Sequence, residues 1–417
     1  MAGNKRRRTS GGFHTTRGDL LSTVSPSSAS QPTFLSTFDR ASRYPIFHNL
    51  CDCLTIAEIV ALTQTCKKFS GLYQYLLSSQ WDVDQALRRY VEDPQGFRSQ
   101  MARYDALISG NFAVQYFERN IWSCKRLVVY ILQGRGSQLF SKYLSTIAGY
   151  SEEKLKEYGP DRPAMETRTF KKDADRKFEI RLHSTTCLPA QYILEISSST
   201  AVVNILSWNK AYSVFPLPTF IQHKSYLLHD LDKSARQSAR KYSQRGWDVQ
   251  GVMWPEEKRR NHPIRERRRV GDRYTWTIPF DTRKVEWSKT PDYVLEHACF
   301  EMDLSMNYDN EEFQYRNQSV RYYVIEANVL ESKVLKHTYV YGGVDMIDFF
   351  FPRLHSFIIS EIYKLDPAQR PTNYKQMLEY PGNIDGALGD FDQPASWTYR
   401  DDEFPKWYKA FEQYQPE

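Results

Sequence analysis

The chain has 417 residues, 41% of them apolar and 14% aromatic, which is enough for two or three compact domains with a buried core. No apolar run approaches the roughly eighteen residues needed to cross a bilayer, and no charged-then-apolar leader occurs, so a membrane span and a secretory signal are not expected. The net charge of +6 is unevenly placed: residues 236–273 hold twelve Lys/Arg against five Asp/Glu, and residues 361–417 hold six against eleven.

Residues 1–35 are rich in Ser, Thr, Gly and Arg and have little to bury, which predicts a disordered basic leader. Within it Lys5, Arg6, Arg7 and Arg8 form a basic run that either acts as a nuclear import signal or is merely solvated. The reading is of an intracellular protein of nucleus or cytoplasm, with Cys51, Cys53, Cys66, Cys124, Cys187 and Cys299 as buried thiols.

Over 44–81 the apolar residues Ile46, Leu50, Leu54, Ile59, Leu62, Cys66, Phe69, Leu72 and Leu76 recur at spacings of three to five, the mark of short amphipathic helices. Thr55 followed by Glu58 fits a capping box. Pro45 and Ile46 at the start, Leu54, the 56–69 run and Trp81 make this stretch resemble an F-box, a small helical module. The resemblance implies contact with a Skp-type adaptor through Pro45, Ile46, Leu50, Leu54, Ile59, Leu62, Phe69 and Trp81. A helical cap on the next domain is the alternative reading. The module is placed at 36–98.

Further on, 105–108 reads as a buried strand, Ser109-Gly110 as a turn, and 111–118 as a helix with Phe112, Val114, Tyr116 and Phe117 inward. The run 127–131 lacks alternation and is β-branched, which predicts a strand buried on both faces. A helix over 133–149 and strands at 178–182 and 192–196 complete a mixed α/β pattern.

The stretch 106–117, Trp122 and 127–131, then 198–204, 208–216, Lys241-Tyr242 with Arg245-Gly246-Trp247, and 269–273 with Trp276, resemble in order a family of fungal proteins. These join an F-box-like start to a nucleotidyltransferase-like domain. The resemblance implies an α+β architecture: a small helical F-box-like module, then a mixed α/β domain with a helical companion over 99–360; composition adds an acidic aromatic tail over 361–417.

Such a domain works by a glycine turn that brings a helix N-terminus to a triphosphate, and by two carboxylates on alternate strand positions that hold two magnesium ions. Here Gly110 is present but Asn111 stands where the resemblance implies serine. Alignment on Trp122 and Leu127 places Arg126 and Val128 at the two carboxylate positions, and Glu179 is the candidate third acid. Valine cannot ligate a metal and arginine brings a fixed positive charge, so two-metal catalysis is not expected. Arg126 either pairs with Glu179 in the metal's stead or points to solvent.

Residues 236–273 interleave bases with aromatic rings, a composition suited to RNA or single-stranded DNA, or else to a wet helix face over core tryptophans. Arg265, Arg267, Arg268 and Arg269 are the best candidates there for anion or nucleic-acid contact, or for contact with the chain's own acidic tail. His183 and Cys187 have no second ligand pair in view, and no metal or cofactor is implied. Asp345, Asp348 and His355 fall on an apolar helix after the Gly342-Gly343 turn, and the tail from 366 reads as an extended, partly ordered arm that lays Trp397, Tyr399, Trp407, Tyr408 and Phe411 as anchors on the domain or on a partner. The expected function is therefore non-catalytic: an interaction protein resembling an F-box substrate receptor of a ubiquitin ligase, or a nucleic-acid- or nucleotide-binding module. An active transferase with relocated carboxylates ranks third.

Overall fold

The structure is a computed structural model that describes residues 44–65, 67–69, 71–119, 124–153, 165–172, 177–229, 233–251, 267–306, 321–372, 374–375, 388–389 and 391–414. Lys5, Arg6, Arg7, Arg8, Cys66, Trp122 and Arg265 lie outside them. The chain divides into two units, Met1–Leu54 and Thr55–Glu417, so the break falls inside the stretch expected to form one helical module.

In the first unit the described part is helix α1 (Tyr44–Cys53), with Phe47 and Cys51 buried and Ile46 exposed. In the second unit α2 (Ile56–Thr65) opens with the expected capping box. The Thr55 amide donates to Glu58 Oε2 at 2.7 Å and the Glu58 amide to Thr55 Oγ1 at 3.3 Å. A short 3₁₀ turn (Lys67–Phe69), α3 (Leu72–Ser79) and α4 (Val83–Leu87) follow. Helix α5 (Pro94–Tyr104) has Pro94 in its first turn and Asp93 as N-cap, and ends on Asp105 in the left-handed conformation. Asp105 thus closes a helix, and β1 (Leu107–Ser109) begins two residues later than 105–108 suggests.

The main sheet has eight strands, in the order 276–279, 210–213, 204–206, β1, 126–132, 179–185, 165–171 and 151–153. After β1 come α6 (Asn111–Glu118), β2 (Arg126–Leu132), α7 (Arg135–Thr146), β3 (Ser151–Glu153), β4 (Met165–Lys171) and β5 (Glu179–Thr185). Strands β2 and β5 pair in parallel, as a helical crossover permits, and their neighbours pair antiparallel. Leu127, Val129, Ile131, Ile180 and Leu182 are buried on one face. The opposite face carries Arg126, Val128 and Tyr130 beside Glu179, Arg181 and His183.

The expected strand at 192–196 is instead helix α8 (Pro189–Ile196). Pro189 fixes φ in the first turn, and Tyr192, Ile193 and Leu194 pack onto the core over Tyr130 and Leu107. Strands β6 (Asn204–Leu206) and β7 (Lys210–Ser213) extend the sheet. Next come a π-helical turn (Leu217–Ile221), β8 (Lys224–Tyr226), α9 (Lys233–Ser243), β9 (Asp248–Gln250), β10 (Arg268–Arg269) and the edge strand β11 (Trp276–Pro279). After α10 (Asp292–Glu296), β12 (Cys299–Met306) pairs with β13 (Arg321–Glu326), and β14 (Asn328–Leu330) with β15 (Tyr339–Tyr341). The fold is α+β.

The long helix α11 (Val344–Lys364) carries Asp345, Asp348 and His355, as expected, and builds a second core with Met346, Phe350, Leu354 and Ile358. The tail corrects the expectation of an extended arm. Residues 404–413 form helix α12 (Phe404–Gln413), with Pro405 in its first turn and Phe404, Trp407, Tyr408 and Phe411 buried in that core. Phe404 stacks on Tyr339 at 3.7 Å between ring centroids and on Phe350 at 5.0 Å. Tyr399 is exposed, and so is Cys53, against the expectation that every thiol is buried.

Candidate functional site

The residues singled out for chemistry meet at one end of the main sheet. Gly110 follows β1 with φ 80° and opens α6, and no side chain caps that helix end. A side chain at Gly110 would meet nothing within 4 Å, so the space before the helix N-terminus is open. Asn111 is held by the fold: its Oδ1 accepts from the buried Tyr242 hydroxyl of α9 at 2.9 Å.

Across the parallel pairing of β2 and β5, Arg126 is in register with Glu179, and its Nε donates to Glu179 Oε1 at 2.5 Å. Arg181 Nε reaches the same oxygen at 3.0 Å. Burial pushes the Glu179 carboxyl up, but the hydrogen bond from Arg126 and the charges of Arg181, Arg126 and Lys171 outweigh it and hold the group below its ordinary value. Val128 sits half-buried against the core below. Of the two arrangements open to Arg126, the structure has the ion pair.

Lys241 and Arg245, at and just past the end of α9, add to this charge. The Lys241 ammonium is half-buried, and burial together with the charges of Arg245 and Arg126 lowers it to about 8. Lys241 Nζ and the Arg245 guanidinium lie 5.9 Å and 5.8 Å from the Tyr242 ring. The ensemble of helix N-terminus, Arg126, Arg181, Lys241 and Arg245 is cationic around one carboxylate, which suits an anion and repels a divalent metal ion. The sequence had set Lys241, Tyr242 and Arg245 in a block of resemblance without assigning them to the site. They lie more than a hundred residues from Gly110, and the link is the Tyr242–Asn111 hydrogen bond.

The other candidates lie elsewhere. Ile59, Phe69 and Trp81 are buried, and Leu50, Leu54 and Leu62 partly so. Pro45 is in α1. Trp81 anchors α3 to the sheet domain: its Nε1 donates to the Phe117 carbonyl at 3.2 Å, its own carbonyl accepts from Tyr116, and its ring meets Trp276 edge-on at 5.2 Å. Within the second unit the 55–81 stretch therefore packs on the sheet domain through Trp81.

The arginines after 265 are engaged internally. Arg267 pairs with Asp345, the buried Arg268 with Asp272 and the Val214 carbonyl, and Arg269 with Glu412 of α12 at 3.6 Å. Arg267 and Arg269 also lie over Phe411 and Tyr408. Of the three, Arg269 makes the expected contact with an acid of the tail, Glu412, whereas Arg267 and Arg268 pair with Asp345 and Asp272 outside it, which corrects the free anion-binding loop for all three. His183 is buried, bonded to Thr167 Oγ1 at 2.8 Å and stacked on Tyr130.

No family model matches this chain, and no curated protein matches it. Among solved structures, a CCA-adding enzyme in complex with CTP is similar over 40% of this chain at 14% identity, with a TM-score of 0.31. The match spans 43% of that protein, less than half its length.

Proposed function

We propose that this protein is a non-catalytic, nucleotidyltransferase-like scaffold that binds a polyphosphate group, as carried by a nucleotide or a nucleic-acid end, at Gly110 without metal ions. The observation that carries this reading is the ion pair between Arg126 and Glu179 where the sequence resemblance puts metal-binding carboxylates. A guanidinium cannot be deprotonated at working pH and has no lone pair to offer a metal, so Arg126 supplies permanently the charge that magnesium supplies in an active site. Phosphate oxygens would meet the amides of α6, Arg126 and Lys241, while Glu179 and Arg181 keep Arg126 in place. Without two metals no hydroxyl is activated and no leaving pyrophosphate is neutralised, so binding would not lead to transfer.

The test is calorimetric titration of the full chain with tripolyphosphate, in EDTA and in magnesium. The reading expects saturable binding in EDTA, weakened about tenfold or more in Lys241→Gln by loss of a charge-assisted contact. Binding that requires magnesium, or none at all, overturns it.

A second reading, an F-box-type receptor of a ubiquitin ligase in nucleus or cytoplasm, is favoured by the exposure of Ile46, 48%, which the resemblance puts at the adaptor contact. Capture by a Skp-type adaptor, lost in a Leu54→Asp, Leu62→Asp variant that stays folded by circular dichroism, would support it. Absence of capture leaves 55–81 as a cap alone.

A further inference from the structure

At the opposite end of β1 from Gly110 the second unit encloses a cleft of about 170 Å³. Its walls are Leu107, Ala190, Trp208, Tyr212, Leu295 and Val340, and Asp105 and Asp292 stand among its polar groups. The volume suits one ring or a compact alkyl body, since an apolar cavity of about 150 Å³ accepts benzene.

The charge around the cleft is negative. Asp105 accepts from Ser288 Oγ at 2.9 Å and from Thr290 Oγ1 at 2.6 Å, both neutral donors. Among the described residues it has no cationic partner. It also closes the C-terminus of α5, the negative end of the helix dipole, where a carboxylate is disfavoured and a cation welcome. Among the described residues Asp292 pairs with one ammonium, Lys210 Nζ at 2.7 Å, and shares it with Glu296, which Lys210 also meets at 2.7 Å. Trp208 and Tyr212 stand in the same wall, where an aromatic ring can attract a cation, and Trp287, 77% exposed, lies 5.8 Å from Trp208.

We infer that this cleft binds a small organic cation, an ammonium or amidinium head on a compact apolar body. The body fills the wall between Leu107 and Leu295, and the head meets the Asp105 carboxylate beside the indole of Trp208. This site is independent of the cationic one at Gly110, with the opposite charge at the other end of the same strand.

The test is calorimetry on the full chain at pH 7 with three probes of one shape: 2-phenylethylamine, 2-phenylethanol and phenylacetate. The amine should bind about tenfold more tightly than the alcohol, and the carboxylate least. In Asp105→Asn the amine should fall to the level of the alcohol while the alcohol is unchanged. Asparagine tolerates the left-handed conformation and keeps an oxygen for Ser288 or Thr290, so this variant should fold. Equal binding of amine and alcohol, an unchanged amine affinity in Asp105→Asn, or no saturable binding of the amine overturns the inference.

Discussion

Arg126 and Glu179 are register partners across the parallel pairing of β2 and β5, and the guanidinium Nε lies 2.5 Å from the carboxylate Oε1. Alternate positions on a strand share a face, so Arg126 and Val128 lie on the face that carries Glu179 and Arg181, where the resemblance puts metal ligands. One is a fixed cation and the other is built into the core.

That arrangement predicts a gain of function. Arg126→Asp together with Val128→Asp would set two carboxylates beside Glu179 on one face. Manganese affinity should rise by roughly two orders of magnitude as oxygen ligands of like charge gather. Titration of both proteins with Mn²⁺ checks this, and equal affinity would show that the sheet face is not the relevant one.

Lys241 makes anion binding pH-dependent. Its ammonium is lowered to about 8, so tripolyphosphate affinity should fall as pH rises through that value. Stability runs the other way. Folding disfavours the charged form, so the unfolded chain holds more protons between about 8 and the ordinary lysine value, and stability rises with pH over that window. Lys241→Met should therefore raise the melting temperature at pH 7 while weakening tripolyphosphate. A variant that loses stability there would contradict the assignment.

Trp81 tests the cap. It is 3% exposed and bonded to α6, so Trp81→Ala should cost about 3–5 kcal/mol in urea unfolding of the full chain. A loss below about 1 kcal/mol would mean that this stretch is held loosely and is available for other contacts.

Phe404 tests the tail. It is fully buried and stacked between Tyr339 and Phe350, and Phe404→Ala should cost about 3–5 kcal/mol. A near-neutral change would return the tail to a peripheral arm.

Part of the site is singled out by the resemblance, and part of the fold by local capping chemistry. Alignment of Trp122 and Leu127 with the resembled family singles out Arg126 and Val128, and the capping residues Thr55 and Glu58 announce α2. What escaped has definite causes. The apolar run 192–196 has no periodicity that separates strand from helix, and the deciding signal was Pro189 three residues before it. Pro405 carries the same signal for α12, hidden among the other prolines of the tail. The arginines after 265 look like a free basic loop because their partners Asp345 and Glu412 are distant in sequence. Lys241 and Arg245 join the site only through tertiary packing, which no local pattern reports.

The most direct measurement is nucleotide incorporation by the full chain, given an RNA primer and all four nucleoside triphosphates with magnesium or manganese. The account predicts no extension above the background set by Glu179→Gln, although the same preparation binds tripolyphosphate in EDTA. Metal-dependent extension that disappears in Glu179→Gln would show that the scaffold is an active transferase after all.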